Sequence, residues 1–288
     1  MQTAVDASRA TPAVAERLVR FFRRKSAQDL EGTMALFARR PCTYIDATLG
    51  WNLGSWTELH DFFAEYMPGW PRDSASYPVR ILGDLRSAVV FFTDTAGLFG
   101  PSELRLAGAI DFEKGLIARQ VDYWDGRHFG VDNLPGLQVP ADQFPSDFGE
   151  STVAGSSSAV MRRVVRDLAD ALRKGDGAAA AQLFSPDAVV EDSPAHVRIV
   201  GPRSIGSYLT SAMGLLPYVG PGTGVRHVLG NALGGGYEFT ASEGPVPRGI
   251  VGLELDRWQK INRFTAMWDG SLVDDATLLS LARNAIER

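Results

Sequence analysis

The chain has 288 residues, 45% hydrophobic and 22% charged, enough apolar material for one large core or two ordinary ones. A formal net charge of −5 provides no basic field for a nucleic-acid backbone or an anionic membrane, so neither partner is expected. The single cysteine, Cys42, excludes an internal disulfide and a thiolate zinc cluster, and it reads as a buried structural thiol.

The N-terminal stretch MQTAVDASRATPAVAERLVRFF carries charges inside every apolar run. That pattern fits neither a signal peptide nor a membrane span, and a cytoplasmic protein is expected. Within it, TPAVAERLVRFFRR predicts a helix, with Thr11 as N-cap, Pro12 at the first helical position, and Val14, Leu18, Phe21 and Phe22 at helical spacing. A second short helix ends at Leu36 and Phe37, and TYIDATLG follows as a strand. The segment SWTELHDFFAEYM opens on a Ser55/Glu58 capping box and sets Leu59, Phe62, Phe63 and Tyr66 on one side of a helix. YPVRILGD, SAVVFFTDTAG, ELRLAGAIDF and LIARQVDYWDG are β-branched and aromatic runs divided by Gly and charge, which predicts consecutive antiparallel strands.

The last of these runs is written twice. IARQVDYWDG at 117–126 recurs as INRFTAMWDG at 261–270, with Ile, Arg, Trp, Asp and Gly at the same internal spacing. Other pairs fall into register: LF at 36 and 183, YID at 44 and VED at 190, VRILG at 79 and VRHVLG at 225. Such a slowly drifting offset marks a duplication with small loop insertions. Between the copies, residues 139–159 lose apolar periodicity and gather Pro, Gly and Ser, so the boundary is expected near residue 150, giving units 1–150 and 151–288. Each unit reads as α+β, a curved, mostly antiparallel sheet with helices on its concave face.

This pattern resembles the NTF2-like superfamily, the cone-shaped fold of ketosteroid isomerases, SnoaL-like polyketide cyclases and several epoxide hydrolases. VVEDSPA resembles the strand end on which the isomerases carry their general base, which puts Asp192 at that position and Asp46 at its counterpart. VDYWDG and AMWDG resemble the final strand, with Trp124 and Trp268 at the pocket-lining tryptophan. The isomerases' oxyanion donors, a Tyr on the first helix and an Asp on a later strand, fall by counting at Phe21 and Leu168, and at Ala107 and Val251. Neither donor is present, which disfavours a steroid-type enolisation. The resemblance also implies two units paired through the outer faces of their sheets, here a monomeric intramolecular pseudo-dimer.

Residues two apart on a strand share a face, so Tyr44 points with Asp46, and Asp122 with Trp124. Two carboxylates in one apolar cavity are driven to different pKa values, and the expected roles are Asp46 as base and Asp122 as acid. Their alternative reading is as structural carboxylates paired to arginines or exposed at strand ends. Copy two has Ala266 where copy one has Asp122, so Asp192 would have to turn to Glu191, His196 or His227, and the first copy is the stronger catalytic candidate. Tyr44, Trp51, Tyr66, Trp124, Trp268 and His196 are the expected substrate-binding residues. Asp125 and Asp269 precede Gly and read as turn residues, while Arg80, Arg226, Arg119 and Arg263 read as structural charges on the sheet exteriors. Four histidines without ligand spacing give no metal site, and no cofactor is expected. The expected function is a cofactor-free cyclase of natural-product biosynthesis acting on a hydrophobic, oxygenated substrate. Epoxide opening, isomerisation or a non-catalytic carrier are the alternatives.

Overall fold

Helix formation starts where the sequence places it. In the computed structural model, which describes residues 4–145 and 147–286, α1 runs Pro12–Ser26 and buries Val14, Leu18, Phe21, Phe22 and Lys25 on one face. Thr11 occupies the N-cap in extended conformation, but its side chain makes no capping bond. Ahead of it lies β1 (Asp6–Ala10), and after it come α2 (Leu30–Met34), β2 (Thr43–Asp46), β3 (Trp51–Leu53) and α3 (Trp56–Tyr66). Ser55 Oγ caps the Glu58 amide, while Glu58 reaches back to Gly54 N rather than to Ser55. Four strands complete the first unit: β4 (Ser76–Gly83), β5 (Ser87–Asp94), β6 (Leu104–Glu113) and β7 (Leu116–Trp124).

These four pair antiparallel in sequence order, and two parallel pairings extend them, β1 on β4 and β2 on β7. The sheet order is β1-β4-β5-β6-β7-β2-β3. The second unit repeats the plan with α4 (Ala159–Arg173), α5 (Gly177–Ala181), β8 (Phe184–Asp192), β9 (Val197–Val200), α6 (Pro202–Ser211), β10 (Thr223–Gly230), β11 (Gly234–Ala241), β12 (Arg248–Leu255) and β13 (Ile261–Trp268), closing with α7 (Asp275–Asn284). Its order is β10-β11-β12-β13-β8-β9, with β8 parallel to β13.

Each sheet packs its helices on one face, giving two separate cores, and the other faces meet. Leu82, Val89, Phe91, Ala109, Val121 and Tyr123 of the first sheet join Leu229, Ile250 and Met267 of the second in a shared apolar layer. The two sheets therefore stand back to back as a pseudo-dimer. The outer faces are not simply apolar, as expected; they also bury charge. Arg80 bonds Glu254 at 2.9 Å, Arg119 bonds Glu238 at 2.7 Å, and His227 meets Asp111 at 2.9 Å across the joint. Arg119 and Arg80 are thus structural charges, and the exterior they occupy is the joint itself.

The stretch 139–159 is not a free coil. Val139 N bonds Leu49 O, Phe148 is buried in the shared layer, and Glu150 pairs with Arg119 and Arg226. Ser146 in that stretch, like residues 1–3 of the N-terminal segment, lies outside the described residues. Among the described residues no helix is long and apolar enough to cross a membrane.

Candidate active site

The parallel pairing of β2 with β7 sets Asp46 directly beside Asp122, and in-register neighbours project to the same side of a sheet. Both carboxylates therefore face the helices of the first unit. At the end of β2 the chain turns, and Asp46 Oδ1 accepts from Thr48 N at 3.0 Å and Leu49 N at 2.9 Å. Trp124 Nε1 donates to the same carboxylate at 3.0 Å. Burial nevertheless dominates and lifts the Asp46 pKa to about 7, the donors and the neighbouring Asp122 being smaller influences. Asp122 is raised to about 6, again mainly by burial, with Gln120, Lys25 and Tyr44 favouring its charged form.

Asp46 lines an enclosed cavity of about 20 Å³, a space comparable to one water molecule, together with Tyr44, Trp51, Asp94, Phe99 and Trp124. Asp122 does not line it. Tyr44 does, and its hydroxyl donates to Asp122 Oδ2 at 2.8 Å, so Asp122 reaches the cavity only through Tyr44. Gly108 sits opposite Asp122 on β6, and a Cβ there would lie 2.8 Å from Asp122 Oδ1, so glycine makes room for the carboxylate.

Three expected placements need correction. Tyr66 ends α3 with 41% of its surface exposed and is absent from the cavity wall, because α3 turns its Leu59 and Phe63 side inward. His196 is an exposed turn residue with φ of 54°, between β8 and β9, remote in role from Asp192. Ala107 faces the other sheet, in the shared layer, so the pocket-side residue at the expected donor strand is Gly108. Val251, its counterpart by count, does lie in the second core, and neither Gly108 nor Val251 can donate.

In the second unit Asp192 accepts from Ala195 N at 3.0 Å, Trp268 Nε1 at 3.1 Å and Tyr218 OH at 2.8 Å. Burial raises its pKa to about 6. Neither suggested partner reaches it: Glu191 turns to Arg263 on the other face, and His227 goes to Asp111. Tyr218 lines an open cleft of about 310 Å³ between α4 and β10–β11, rimmed by Arg162, Arg166 and Arg173. Asp125 and Asp269 each cap a short 3-10 turn, and Asp269 also accepts from Gly126 N of the first unit.

Sequence reasoning missed Lys25, Asp94 and Gln120. Gln120 Nε2 bonds both Asp122 oxygens at 3.0 Å, and Lys25 Nζ lies 3.4 Å from Asp94 Oδ2 with both groups buried. A signal was available: Lys25 continues the 14, 18, 21, 22 spacing of the apolar face of α1, where a surface lysine would not fall.

The second unit reads as an internal control. The Asp–Trp bond is common to both units, as Asp46–Trp124 and Asp192–Trp268. The second unit also brings a tyrosine to its carboxylate, Tyr218 on Asp192, but lacks the other polar groups of the first at their equivalent places. Ala266 pairs with Asp192 where Asp122 pairs with Asp46, and Val190 stands two residues before Asp192 where Tyr44 precedes Asp46. Leu172 holds the same place in α4 as Lys25 in α1, and Ala241 pairs with Thr223 where Asp94 pairs with Ser76.

No protein-family model and no curated protein matches the chain. Solved structures resemble one unit at a time. An NTF-2-like protein of unknown function from Burkholderia xenovorans is 13% identical over 39% of this chain and 82% of its own, with a TM-score of 0.34. A steroid delta-isomerase from Pseudomonas aeruginosa is 18% identical over 44% of this chain and 90% of its own, with a TM-score of 0.35. A protein from Sinorhizobium meliloti, provisionally assigned as a polyketide cyclase, is 17% identical over 39% and 99%, with a TM-score of 0.33. Each of these matches spans about two fifths of this chain, and nothing of these proteins' reactions comes with it.

Proposed function

We propose that the first unit is a cofactor-free acid/base enzyme acting on a hydrophobic, oxygenated small molecule, and that its reaction is a ring closure of the kind used in natural-product biosynthesis. The observation that carries this reading is Asp46: a buried carboxylate, lining an apolar cavity, whose pKa of about 7 lets it take up and release a proton near neutrality. In a carbon–carbon closure Asp46 takes the proton from the carbon that attacks a carbonyl, and the same proton returns to the oxygen formed. Tyr44 is the donor nearest that oxygen. When Asp122 is protonated it donates to the Tyr44 oxygen, and the Tyr44 proton is then free to meet the developing charge. Asp122 is thus a positioning residue acting through Tyr44, where the sequence alone put it in direct contact. Trp124 holds the Asp46 carboxylate in place. Epoxide opening uses the same groups, with a proton to the oxygen and a base on the nucleophile.

A second reading belongs to the second unit, where the 310 Å³ cleft offers space but Ala266, not a carboxylate, stands beside Asp192 on the neighbouring strand. That unit is a ligand-holding or purely architectural partner.

The test is to incubate the purified protein with extracts of a source strain lacking its gene, and to follow which intermediate disappears. Asp46→Asn should abolish that conversion. Full conversion by Asp46→Asn would sink the reading.

A further inference from the structure

The cavity has a second carboxylate, one that the chemistry above does not use. Asp94, at the end of β5, is 1% exposed, and its Oδ2 is taken by Lys25 Nζ at 3.4 Å. Among the described residues its Oδ1 is buried with no hydrogen-bond partner. A bare carboxylate oxygen in an apolar surrounding is costly, and a ligand donor would remove that cost. Lys25 is buried as well, its ammonium 5.6 and 5.4 Å from the ring centres of Phe92 and Phe99. At the equivalent places the second unit has Leu172, which is buried, and Ala241, which is only half-buried at the end of its strand, so no buried ion pair forms there.

We propose that Asp94, held by Lys25, is a substrate-anchoring residue whose free Oδ1 accepts a hydrogen bond from an uncharged hydroxyl on an otherwise apolar ring. This rests on the reading of the cavity as a substrate site. Charge selects the ligand class. Lys25 already balances Asp94, so a cationic group would meet an ammonium it cannot displace, and an anionic one would meet Asp94 and Asp46 together. A neutral hydroxyl satisfies Oδ1 without adding charge. Trp51, Phe62, Phe99 and Leu137 supply the apolar wall for the ring. The reacting group then lies toward Asp46, and the anchored hydroxyl toward Asp94.

Phenol and toluene test this in the full chain, because both must spread the same 20 Å³ cavity and differ only in the hydroxyl. Calorimetric titration of the native protein should give phenol a preference of about tenfold or more, the scale of one hydrogen bond to a charged group. The preference should shrink in Asp94→Asn, vanish in the Lys25→Leu/Asp94→Ala double variant, and persist in Asp46→Asn. If the pair serves binding rather than folding, the double variant should unfold at no lower urea concentration than the native protein. A clear drop in that midpoint would make the pair structural and overturn the anchor. So would an undiminished phenol preference in the double variant, or no native preference at millimolar phenol. A preference lost in Asp46→Asn alone would overturn the anchor and leave the role of Asp46 standing, whereas retained turnover in Asp46→Asn with the phenol pattern intact would do the reverse.

Discussion

Replacing Asp46 by Asn should stabilise the protein at alkaline pH while removing the proposed proton carrier. All three donors around Asp46, from Thr48, Leu49 and Trp124, can bond Oδ1, so an asparagine oxygen at that place keeps every one of them. Burial raises the carboxyl pKa from 3.8 to about 7, which makes the ionised form costlier than the protonated one by about 4 kcal/mol at 1.36 kcal/mol per pH unit. Between those two values the folded chain holds a proton that the unfolded chain has released. The stability this provides is fully present below about pH 4 and is lost as pH rises through about 7. Asparagine cannot ionise, so that loss disappears. An amide N–H facing the indole N–H takes back about 1 kcal/mol. At pH 8 the variant should therefore exceed the native protein by about 2–3 kcal/mol, and at pH 5 the two should agree within about 1 kcal/mol. Urea titrations at unit steps between pH 5 and 8 measure the difference. Parallel pH dependences, or a variant weaker at pH 8, would refute the claim that Asp46 is a desolvated acid.

Asp192→Asn should show a smaller stability gain at alkaline pH than Asp46→Asn, since burial raises Asp192 only to about 6, and should leave turnover within about twofold, as the proposal places the chemistry in the first unit; loss of turnover equal to that of Asp46→Asn would make both units catalytic. Once a converted intermediate is identified, its rate should peak between pH 6 and 7, because the productive form has Asp46 ionised and Asp122 protonated, and those groups sit at about 7 and about 6; a rate still climbing at pH 9 would exclude that form. Arg119→Met should cost about 3–5 kcal/mol in urea, since Glu238 is left buried with only the Tyr123 hydroxyl, and Arg119→Met/Glu238→Leu should recover most of it. Residues 1–150 expressed alone should self-associate in light scattering, because Leu82, Val89, Phe91 and Arg80 lose their cover, whereas the full chain should run near 31 kDa.

What could be read in the sequence is what local pattern governs. The antiparallel run β4 to β7, the Ser55 cap and the duplication all follow from spacing and side-chain type. The common face of Asp46 and Asp122 also follows, by alternation from Tyr44 and Trp124. What escaped depends on distant pairing. β1 reads DASRA, without alternation or β-branched residues, and exists because β4 offers it an edge. Tyr66 has the spacing of an inward residue, yet at the last turn of α3 it packs against Phe62 and Trp51 and stays exposed, with those two rings rather than its own on the cavity wall. Whether Asp122 opens into the cavity could not be told from face alone, because Tyr44 shares that face and intervenes. The joint was legible in place but not in chemistry: Arg80 and Arg119 give no sign in one unit of the Glu254 and Glu238 that meet them from the other.

The two copies divide the site into an architectural part and an acquired part. Asp–Trp bonding recurs with the same geometry in both units and, in each, ties the strand-end turn to the last strand, so its persistence is explained by folding alone. Lys25, Tyr44, Asp94 and Asp122 have no such excuse. Each is a polar group buried in the first unit; at these places the second has Leu172, Val190, Ala266 and the half-buried Ala241, and it brings Tyr218 to Asp192 from elsewhere in the chain. Burying polar groups at places a homologous frame fills with Leu, Val and Ala carries a cost that packing does not return. A cluster of four such costs beside one cavity is what favours the first unit over the second as the place of the proposed chemistry.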